Sequence, residues 1–326
     1  SIPLHGNNLI SFDKIEIISR KNKKITNIKS IKKLRSTIRK KVLFDIKQIF
    51  RKKKFKVLKF SNLPILMGVL NLTPNSFSDG GKYNKKNLGE KHAKKLFRDG
   101  CVILDIGGEA TNPGSKEINE NEEWKRIFPT LIKINKLKKF ISLDTRKSIL
   151  MQRGIKNKIS LINDVSGLEH DHNTINVLKE TNIPFVIHHI QGNPKTMQKN
   201  PKYKNVILDI YDFFEKKLEF IRDNKINHNN IILDPGIGFG KNLKHNITIL
   251  NQISIFHSLG FPVMLGLSKK RFIKELSGSN DSEQRIGGTT SSCIYAILQG
   301  VQILRVHDVN EIKQAMKVFN KLIFNK

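Results

Sequence analysis

Long apolar runs are missing from this sequence, and cysteines are few. No run approaches the roughly 20 apolar residues that span a membrane, and the N-terminal residues show no apolar core followed by a small-residue cleavage site. The two cysteines, Cys101 and Cys293, both lie inside apolar segments. We therefore expect neither a disulfide nor a cysteine metal site, and predict two buried side chains in a reducing compartment. The expected location is cytoplasmic, without a membrane partner.

Acidic residues are also scarce. The 326 residues include 28 Asp and Glu against 59 Lys and Arg, which gives a net charge of +31. Residues 1–60 hold 19 basic and 3 acidic residues, about half of the excess. A basic segment is one signature of nucleic-acid binding, and this alternative stays open for residues 1–60. Because Lys, Ile and Asn recur along the whole chain, a compositional bias is the preferred explanation, and no specific nucleic-acid partner is predicted.

The composition and hydrophobic pattern of the chain change near residue 60. Residues 1–60 are predicted to be a basic extension or linker, in which residues 31–50 form an amphipathic helix. Residues 61–326 contain eight short apolar runs separated by segments long enough for helices. These runs are 65–70, 101–106, 140–144, 160–164, 185–189, 231–234, 263–267 and 302–306. Eight buried parallel strands alternating with helices predict an α/β fold of the closed (β/α)₈ type, with a doubly wound open sheet as the alternative.

Nearly every apolar run ends in a polar or charged residue. A single aspartate at such a point is usually a helix cap or turn residue. In a (β/α)₈ barrel, however, the carboxyl ends of all strands meet at one mouth, where active sites are built. The convergent set therefore predicts an enzyme, and consists of Asn71, Asp105, Asp144, Asn163, Asp164, His188, His189, Asp234, Ser268, Arg305 and His307.

Two other patterns are false leads. The stretch PGIGFGK looks like a phosphate-binding loop, but Pro235 stands where a Walker motif needs Gly, and Asn242 follows Lys241 instead of Ser or Thr. His170, His172, His188 and His189 suggest zinc only superficially, since no carboxylate supports them at helical spacing. Neither pattern predicts a ligand site.

The loop TPNSFSDGGKY at 73–83 follows the first apolar run and combines flexible, polar and aromatic residues, as a lid over a ligand does. Together with DIGGEATNPGS, HHIQGNPKTMQ, LDPGIGFGKN, LSKKRFI and RVHDV, it resembles the dihydropteroate synthase family over residues 64–326. The resemblance implies a (β/α)₈ barrel, usually a homodimer. It also implies an enzyme that joins a pterin-methyl diphosphate to 4-aminobenzoate and releases diphosphate with Mg²⁺ present.

The resemblance also implies roles for single residues of this sequence. Pterin contacts are expected from Asp144, Asn163, His188, Asp234 and Lys270. Diphosphate contacts are expected from Asn71, Arg305 and His307, and Asn71 is also the expected Mg²⁺ ligand. The aminobenzoate pocket is expected from Phe77, Thr111, Pro113, Phe239 and Arg271. Asp79, which would order the closed loops, is expected to act in catalysis together with Lys270, Arg305 and His307.

Three positions depart from the family pattern. Asn112 replaces a usual Arg, and loss of a charge-assisted contact could weaken substrate binding by roughly 1.5–3 kcal/mol unless Lys116, Lys269 or Arg271 compensates. Arg271 stands where some members have Ser, and His188 where Met is common. Because of Asn112, the alternative that the chain is a weakened or non-catalytic pterin-binding homologue stays open. A further alternative, a methyltransferase that takes methyl from methyltetrahydrofolate to a corrinoid protein, is disfavoured by the SFSDGG and TNPG loops.

Overall fold

The computed structural model describes residues 1–4, 7–51, 64–73, 87–111, 114–192 and 196–324. Its main body is one parallel sheet of eight strands alternating with helices. The prediction of a (β/α)₈ barrel is confirmed. The strands are β5 (Ile65–Asn71), β6 (Ile103–Gly107), β7 (Phe140–Asp144), β8 (Leu161–Asp164), β9 (Phe185–His188), β10 (Ile231–Asp234), β11 (Met264–Gly266) and β12 (Ile303–Val306), numbered after four strands of the N-terminal segment.

The sheet closes through its two ends. Pairing runs in the order β10-β9-β8-β7-β6-β5-β12-β11, with every strand parallel to its neighbour. A parallel bridge between Leu233 and Val263 then joins β10 to the segment entering β11. The backbone N–H of Leu233 donates to the Pro262 carbonyl at 2.9 Å. Closure removes the open edges of the sheet and brings all eight strand ends to one rim.

Helices cover the outside of the barrel. Their bounds are α2 (Leu88–Asp99), α3 (Glu120–Asn135), α4 (Ser148–Lys156), α5 (Thr174–Thr181), α6 (Val206–Asp223), α7 (Leu243–Asn251), α8 (Arg271–Ser277), α9 (Ile286–Leu298) and α10 (Val309–Phe324). Asparagines cap several of them: the side chains of Asn119, Asn205 and Asn242 accept from the first-turn backbone of α3, α6 and α7. Such caps satisfy amide donors that have no partner within the helix. These caps fix where α3, α6 and α7 begin.

The barrel interior has an apolar floor. Every strand except β7 contributes at least one residue to a buried cluster, against which Phe140 of β7 also packs. The cluster consists of Ile65, Met67, Ile103, Leu161, Val186, Ile232, Met264 and Ile303. Alternate residues of a strand face the same side. The residues two positions further along therefore also face inward, one layer nearer the mouth.

The N-terminal segment is folded against the barrel. It contains the antiparallel pairs β1 (Ile2–Leu4) with β2 (Asn7–Phe12) and β3 (Lys14–Ile18) with β4 (Lys23–Asn27), followed by α1 (Ser36–Phe50). The amphipathic helix predicted at 31–50 is present but begins later, at Ser36, and a 3₁₀ helix, Ile28–Lys33, precedes it. Ile31, Val42 and Ile46 form a small buried cluster of their own. Arg20 reaches Asp209 and Asp212 of α6 at 2.9 and 2.5 Å.

The boundary between the extension and the barrel, predicted at residue 60, stays a prediction because residues 52–63 lie outside the described part of the chain. Cys101 and Cys293 are both free and buried, as expected. Within the ranges that the structure describes, no helix has the length and apolar character needed to cross a bilayer.

Candidate active site

Polar side chains form the layer above the apolar floor. Ile103, Leu161, Val186, Ile232 and Ile303 are each followed two positions later by a polar residue on the same strand. These residues are Asp105, Asn163, His188, Asp234 and Arg305. Asp144 lies at the end of β7, and Lys270 just beyond β11. Strand periodicity therefore gathers charged and amide groups from at least six strands at one mouth.

Arg305 sits between two carboxylates. Its Nε donates to Asp105 Oδ2 at 2.6 Å, and its Nη2 donates to Asp144 Oδ2 at 2.7 Å. Asp105 Oδ2 also accepts from Asn163 Nδ2 at 3.0 Å. The side chains of Asp105 and Asp144 are 0% and 9% exposed, so these are buried, charge-assisted bonds. The guanidinium orientation is thus set by β6 and β7.

The charges of this cluster are strongly coupled. Burial, followed by the negative charge of Asp105, raises the pKa of Asp144 to about 8, although Arg305 opposes the shift. Burial disfavours the charged form of Arg305, but attraction to Asp105 and Asp144 outweighs it and raises the pKa of the guanidinium. Burial and the charge of Asp105 thus favour the protonated form of Asp144, whereas Arg305 favours its charged form.

Lys270, just beyond β11, lines the same cleft as Arg305. Its Nζ is 4.4 Å from the centre of the Phe239 ring, a cation–π distance. Burial, and then repulsion by Arg305, lower the pKa of Lys270 to about 8. Burial raises the pKa of Asp234 to about 6, while its Oδ1 accepts from the Gly236 N–H at 2.8 Å. The cleft thus holds several groups whose protonation changes near physiological pH.

His188 completes the wall beside Phe239. The two rings meet edge to face with centroids 4.5 Å apart, and His188 is 3% exposed. Burial, and then the positive charges of Lys241 and Lys270, lower the pKa of His188 well below its ordinary value, so the ring is neutral. In the described residues, His188 Nδ1, Asp105 Oδ1 and Asn163 Oδ1 are buried atoms without a hydrogen-bond partner. Unpaired buried polar atoms at one mouth indicate a polar ligand.

The predicted residues do not all converge. The cleft is lined by Thr111, Asn163, Val165, His188, Asp234, Ile237, Phe239, Gly266, Lys270 and Arg305. This set includes predicted pterin, diphosphate and aminobenzoate residues. Asn71 ends β5 at the same rim and is half buried. His307 follows β12, where its Nδ1 lies 3.1 Å from Ser268 Oγ. Burial, and then Arg305, lower the pKa of His307 well below its ordinary value.

Arg271 is a predicted residue whose side chain is mostly exposed and does not line the cleft. Its side chain is 67% exposed, and its Nε bonds Glu275 Oε1 at 2.6 Å one turn along α8. A contact with aminobenzoate would require the guanidinium to leave Glu275, so that role stays a prediction. Phe77, Asp79, Asn112 and Pro113 lie outside the described residues, and their roles also stay predictions.

Asp105 was predicted at the mouth as a strand-end residue, but the sequence assigned it no role in the site. The sequence marks it only as a polar strand end, whereas the structure makes it the shared acceptor of Arg305 and Asn163. The available signal was the two-residue spacing from Ile103, which directs both side chains into the barrel. A fully buried carboxylate in that layer requires a partner.

An ion-pair network supports the base of the loop that starts at Thr111. Glu109 Oε1 accepts from the Ile118 backbone N–H at 2.9 Å and from Lys147 Nζ at 3.0 Å. Its Oε2 accepts from Arg146 Nε at 3.0 Å. Lys147 also bonds the buried Glu123 at 2.6 Å. The two ends of this loop are therefore joined to the segment that follows β7.

Comparison with known proteins agrees with this geometry. The sequence model of the family described as "Pterin binding enzyme" matches residues 67–307. Dihydropteroate synthase of Escherichia coli K12 is 38% identical over 256 residues, covering 78% of this chain and 90% of that protein. The Yersinia pestis dihydropteroate synthase, solved with a sulfonamide drug complex, superposes with a TM-score of 0.78 at 36% identity, covering 82% of this chain and 97% of that one.

A second solved structure, Thermus thermophilus dihydropteroate synthase in complex with 4-aminobenzoate, gives a TM-score of 0.73 at 33% identity and covers 81% of this chain and 96% of that one. The barrel and the polar groups at its mouth agree with the match to the pterin-binding enzymes. The chain belongs to the pterin-binding enzymes and, among them, to the dihydropteroate synthase family.

Proposed function

We infer that this chain is a transferase of folate biosynthesis. It joins (7,8-dihydropterin-6-yl)methyl diphosphate to 4-aminobenzoate, giving 7,8-dihydropteroate and diphosphate. The observation that carries this conclusion is the cluster in which Asp105 and Asp144 hold Arg305 beside Asn163, in the cleft that Lys270 also lines. The cluster combines acceptors for a heterocycle with cations for a diphosphate, which is what the two halves of this substrate need.

The pterin half matches the unpaired atoms of the cleft. A pterin presents an edge of amino, ring N–H and carbonyl groups, which needs both acceptors and donors. Asn163 Oδ1 and Asp105 Oδ1 are buried acceptors without a partner in the described residues, and His188 Nδ1 is a third unpaired atom. We propose that Asp144, Asn163 and Asp234 bind this edge, that Lys270 donates to the ring, and that His188 packs against its face.

The diphosphate half requires positive charge and hydrogen-bond donors at the rim. Arg305 lies on β12, and His307 lies just beyond it, where Ser268 Oγ contacts both the backbone N–H and the ring of the histidine. We propose that Arg305 and His307 contact diphosphate oxygens. As diphosphate leaves, positive charge develops at the pterin methylene, and a fixed arrangement of charged groups that excludes water favours this step.

Mg²⁺ is the cation that the family resemblance implies. Within the described ranges, no three His, Cys, Asp or Glu side chains are grouped so as to hold a metal. Asn71 supplies one amide oxygen at the rim. Mg²⁺ favours few protein ligands together with water and phosphate oxygens, so this sparse donor set fits a cation held largely by the diphosphate. We propose Asn71 as its protein ligand; the bound cation would neutralise charge on the leaving group.

The second substrate, 4-aminobenzoate, is assigned to the part of the cleft beside Thr111 and Phe239. Thr111 and Phe239 both line the cleft, and Phe239 also contacts Lys270. The aniline nitrogen is unprotonated at neutral pH and needs no strong base, so correct placement is the main requirement. Phe77, Pro113 and Arg271 are proposed to complete the pocket, and Asp79 to order the lid. A homodimer and a cytoplasmic location remain expectations from the resemblance.

The deciding experiment measures diphosphate release from the pterin-methyl diphosphate with Mg²⁺, with and without 4-aminobenzoate, and product formation by mass. Release coupled to dihydropteroate formation, lost in Asp144→Ala and Lys270→Ala, is the expected result. Asp212→Ala and Lys244→Ala remove the same groups from helices outside the cleft and should retain activity. Pterin binding without product, even at high aminobenzoate, would contradict the synthase function. It would support the alternative of a weakened pterin-binding homologue, which Asn112 suggests.

A further inference from the structure

The turn after β10 is held by side chains at three successive carbonyls. Gln198 Nε2 donates to the Gly238 carbonyl at 2.6 Å, Lys241 Nζ to Phe239 at 2.8 Å, and Tyr203 Oη to Gly240 at 2.8 Å. Gln198 and Tyr203 come from the segment after β9, and Lys241 from the turn itself. We call these three side chains the carbonyl clamp. The only aromatic ring within this turn is that of Phe239, a wall of the cleft.

Close backbone packing leaves this turn little freedom. Gly236 and Gly240 adopt φ values of 70° and 63°, which side chains rarely take. A Cβ on Gly236 would lie 2.0 Å from the His189 carbonyl oxygen, and one on Gly240 would lie 2.5 Å from the Gln191 carbonyl oxygen. The turn therefore rests directly on the backbone that follows β9. The clamp adds a side-chain hydrogen bond at three carbonyls of this closely packed turn.

Lys241 is the buried member of the clamp. It is 2% exposed, and no carboxylate of the described residues pairs with it. Besides the Phe239 carbonyl, its Nζ lies 3.0 Å from His189 Nδ1 and 3.4 Å from the His189 carbonyl oxygen. An ammonium would donate to all three acceptors, whereas a neutral amine would donate to the carbonyls and accept from Nδ1–H. In either protonation state, Lys241 links the turn after β10 to His189 at the end of β9.

We propose that Lys241 is a positioning residue for 4-aminobenzoate, acting through Phe239. The proposal rests on the function proposed above. Lys241 holds the Phe239 backbone, and the Phe239 ring in turn packs against Lys270 Nζ at 4.4 Å and His188 at 4.5 Å. Burying an amine is unfavourable unless all its partners are present. A buried amine at Lys241 is explained if the turn must present the Phe239 ring in one orientation.

The first experiment compares Lys241→Met with Lys244→Met in steady-state kinetics. Lys244 is exposed on α7, three residues along, so the second variant removes the same group without touching the clamp. Because displacing the Phe239 ring changes the shape of the aminobenzoate pocket, Lys241→Met should raise KM for 4-aminobenzoate roughly ten- to hundredfold. The KM for the pterin diphosphate should rise less, through the contacts of the ring with Lys270 and His188. Lys244→Met should match the wild type. Equal KM values for aminobenzoate in both variants would overturn the proposal.

A double-mutant cycle tests whether Lys241 acts through Phe239. Phe239→Leu should itself raise KM for aminobenzoate, and adding Lys241→Met to it should then change KM little, because the ring to be positioned is already gone. Independent, additive effects would assign Lys241 a general structural role and sink the proposal. If Lys241→Met does not fold, Tyr203→Phe removes one neighbouring clamp bond and should give a smaller increase of the same sign; no increase would count against the clamp.

A structure of Lys241→Met separates this proposal from the proposed function. If the wild-type chain makes no dihydropteroate, the proposed function fails whatever Lys241 does. The separation of the Phe239 ring from Lys270 Nζ remains measurable in the variant. A displaced ring would preserve the positioning role of Lys241, and an unmoved ring would overturn it.

Discussion

Arg305 and Asp105 lie 200 residues apart in sequence, yet the guanidinium Nε is 2.6 Å from the carboxylate Oδ2. The two residues belong to β12 and β6, which flank β5 in the sheet. The bond therefore crosses the barrel interior above the floor formed in part by Met67. Because Asp144 engages the second guanidinium nitrogen, the arginine is held at two points. The site is thus preorganised by strand register.

Asp105→Asn should impair catalysis while the barrel persists. The amide keeps the shape but removes the charge that holds Arg305 and Asn163. Loss of a charge-assisted bond of about 1.5–3 kcal/mol predicts a roughly ten- to hundredfold fall in kcat/KM for the pterin diphosphate. Asp212→Asn, which alters a half-exposed partner of Arg20, is the matched control. Wild-type kinetics in Asp105→Asn would show that Arg305 needs no support from β6.

The dependence of kcat/KM on pH should be bell-shaped. Pterin recognition needs the Asp234 carboxylate, whose pKa burial raises to about 6, so activity should rise through that pH. It should fall again near pH 8, where Lys270 loses its proton because burial and Arg305 lower its pKa. Lys270→Arg keeps a charge over this range and should move the alkaline limb to roughly pH 9 or higher even if the rate drops. An unchanged limb in that variant would exclude Lys270 as its source.

Asp144 should make the protein less stable as the pH rises. Its folded-state pKa of about 8 lies above the unfolded value of about 3.9. The folded chain therefore binds the extra proton, and the resulting stabilisation is full below about pH 4 and lost as the pH rises through about 8. Asp144→Asn removes this dependence. Urea unfolding across this pH range should show a flatter curve for the variant, and parallel curves would contradict the shifted pKa.

The strands were predictable because each is a short, continuous run of buried residues. The run at 231–234 coincides with β10, and the run at 140–144 with β7. The N-terminal hairpins were missed for the opposite reason. In β3 the apolar residues Ile15 and Ile17 alternate with charged ones within a lysine-rich segment, so only half of the strand carries a hydrophobic signal. Half-buried antiparallel strands show this pattern.

The site was predictable as a set of residue types, but its pairings were not. The strand-end pattern predicts Arg305, Asp144 and Asn163 at one mouth, and the structure does bring them together. That Asp105 would be the shared partner of Arg305 and Asn163 depends on which strands flank β5, a property of the closed sheet. Lys241 belongs to the false phosphate-loop motif, which predicts no ligand. Its role depends on partners from the β9 turn, which local spacing does not reveal.

Gly300 offers a test of how the N-terminal segment meets the barrel. A Cβ at this position, where φ is 83°, would lie 1.7 Å from Leu4 Cδ2. Gly278 has a similar φ of 74° and nothing within 4 Å of such a Cβ. Gly278→Ala should therefore lower the free energy of unfolding by about 1 kcal/mol through backbone strain alone. Gly300→Ala should lower it by roughly a further 1–3 kcal/mol because the two elements collide.

Adding Leu4→Ala to each glycine variant isolates the collision. It should restore part of the stability lost in Gly300→Ala, since the clashing methyl group is removed, and restore nothing in Gly278→Ala. Urea unfolding curves of the wild type, Leu4→Ala, both glycine variants and both double variants give the coupling energies directly. Equal losses in the two glycine variants, with no coupling to Leu4, would mean that β1 does not press on the barrel in solution. Non-zero coupling at Gly300 alone would instead show that Leu4 packs against the end of the barrel opposite the active site.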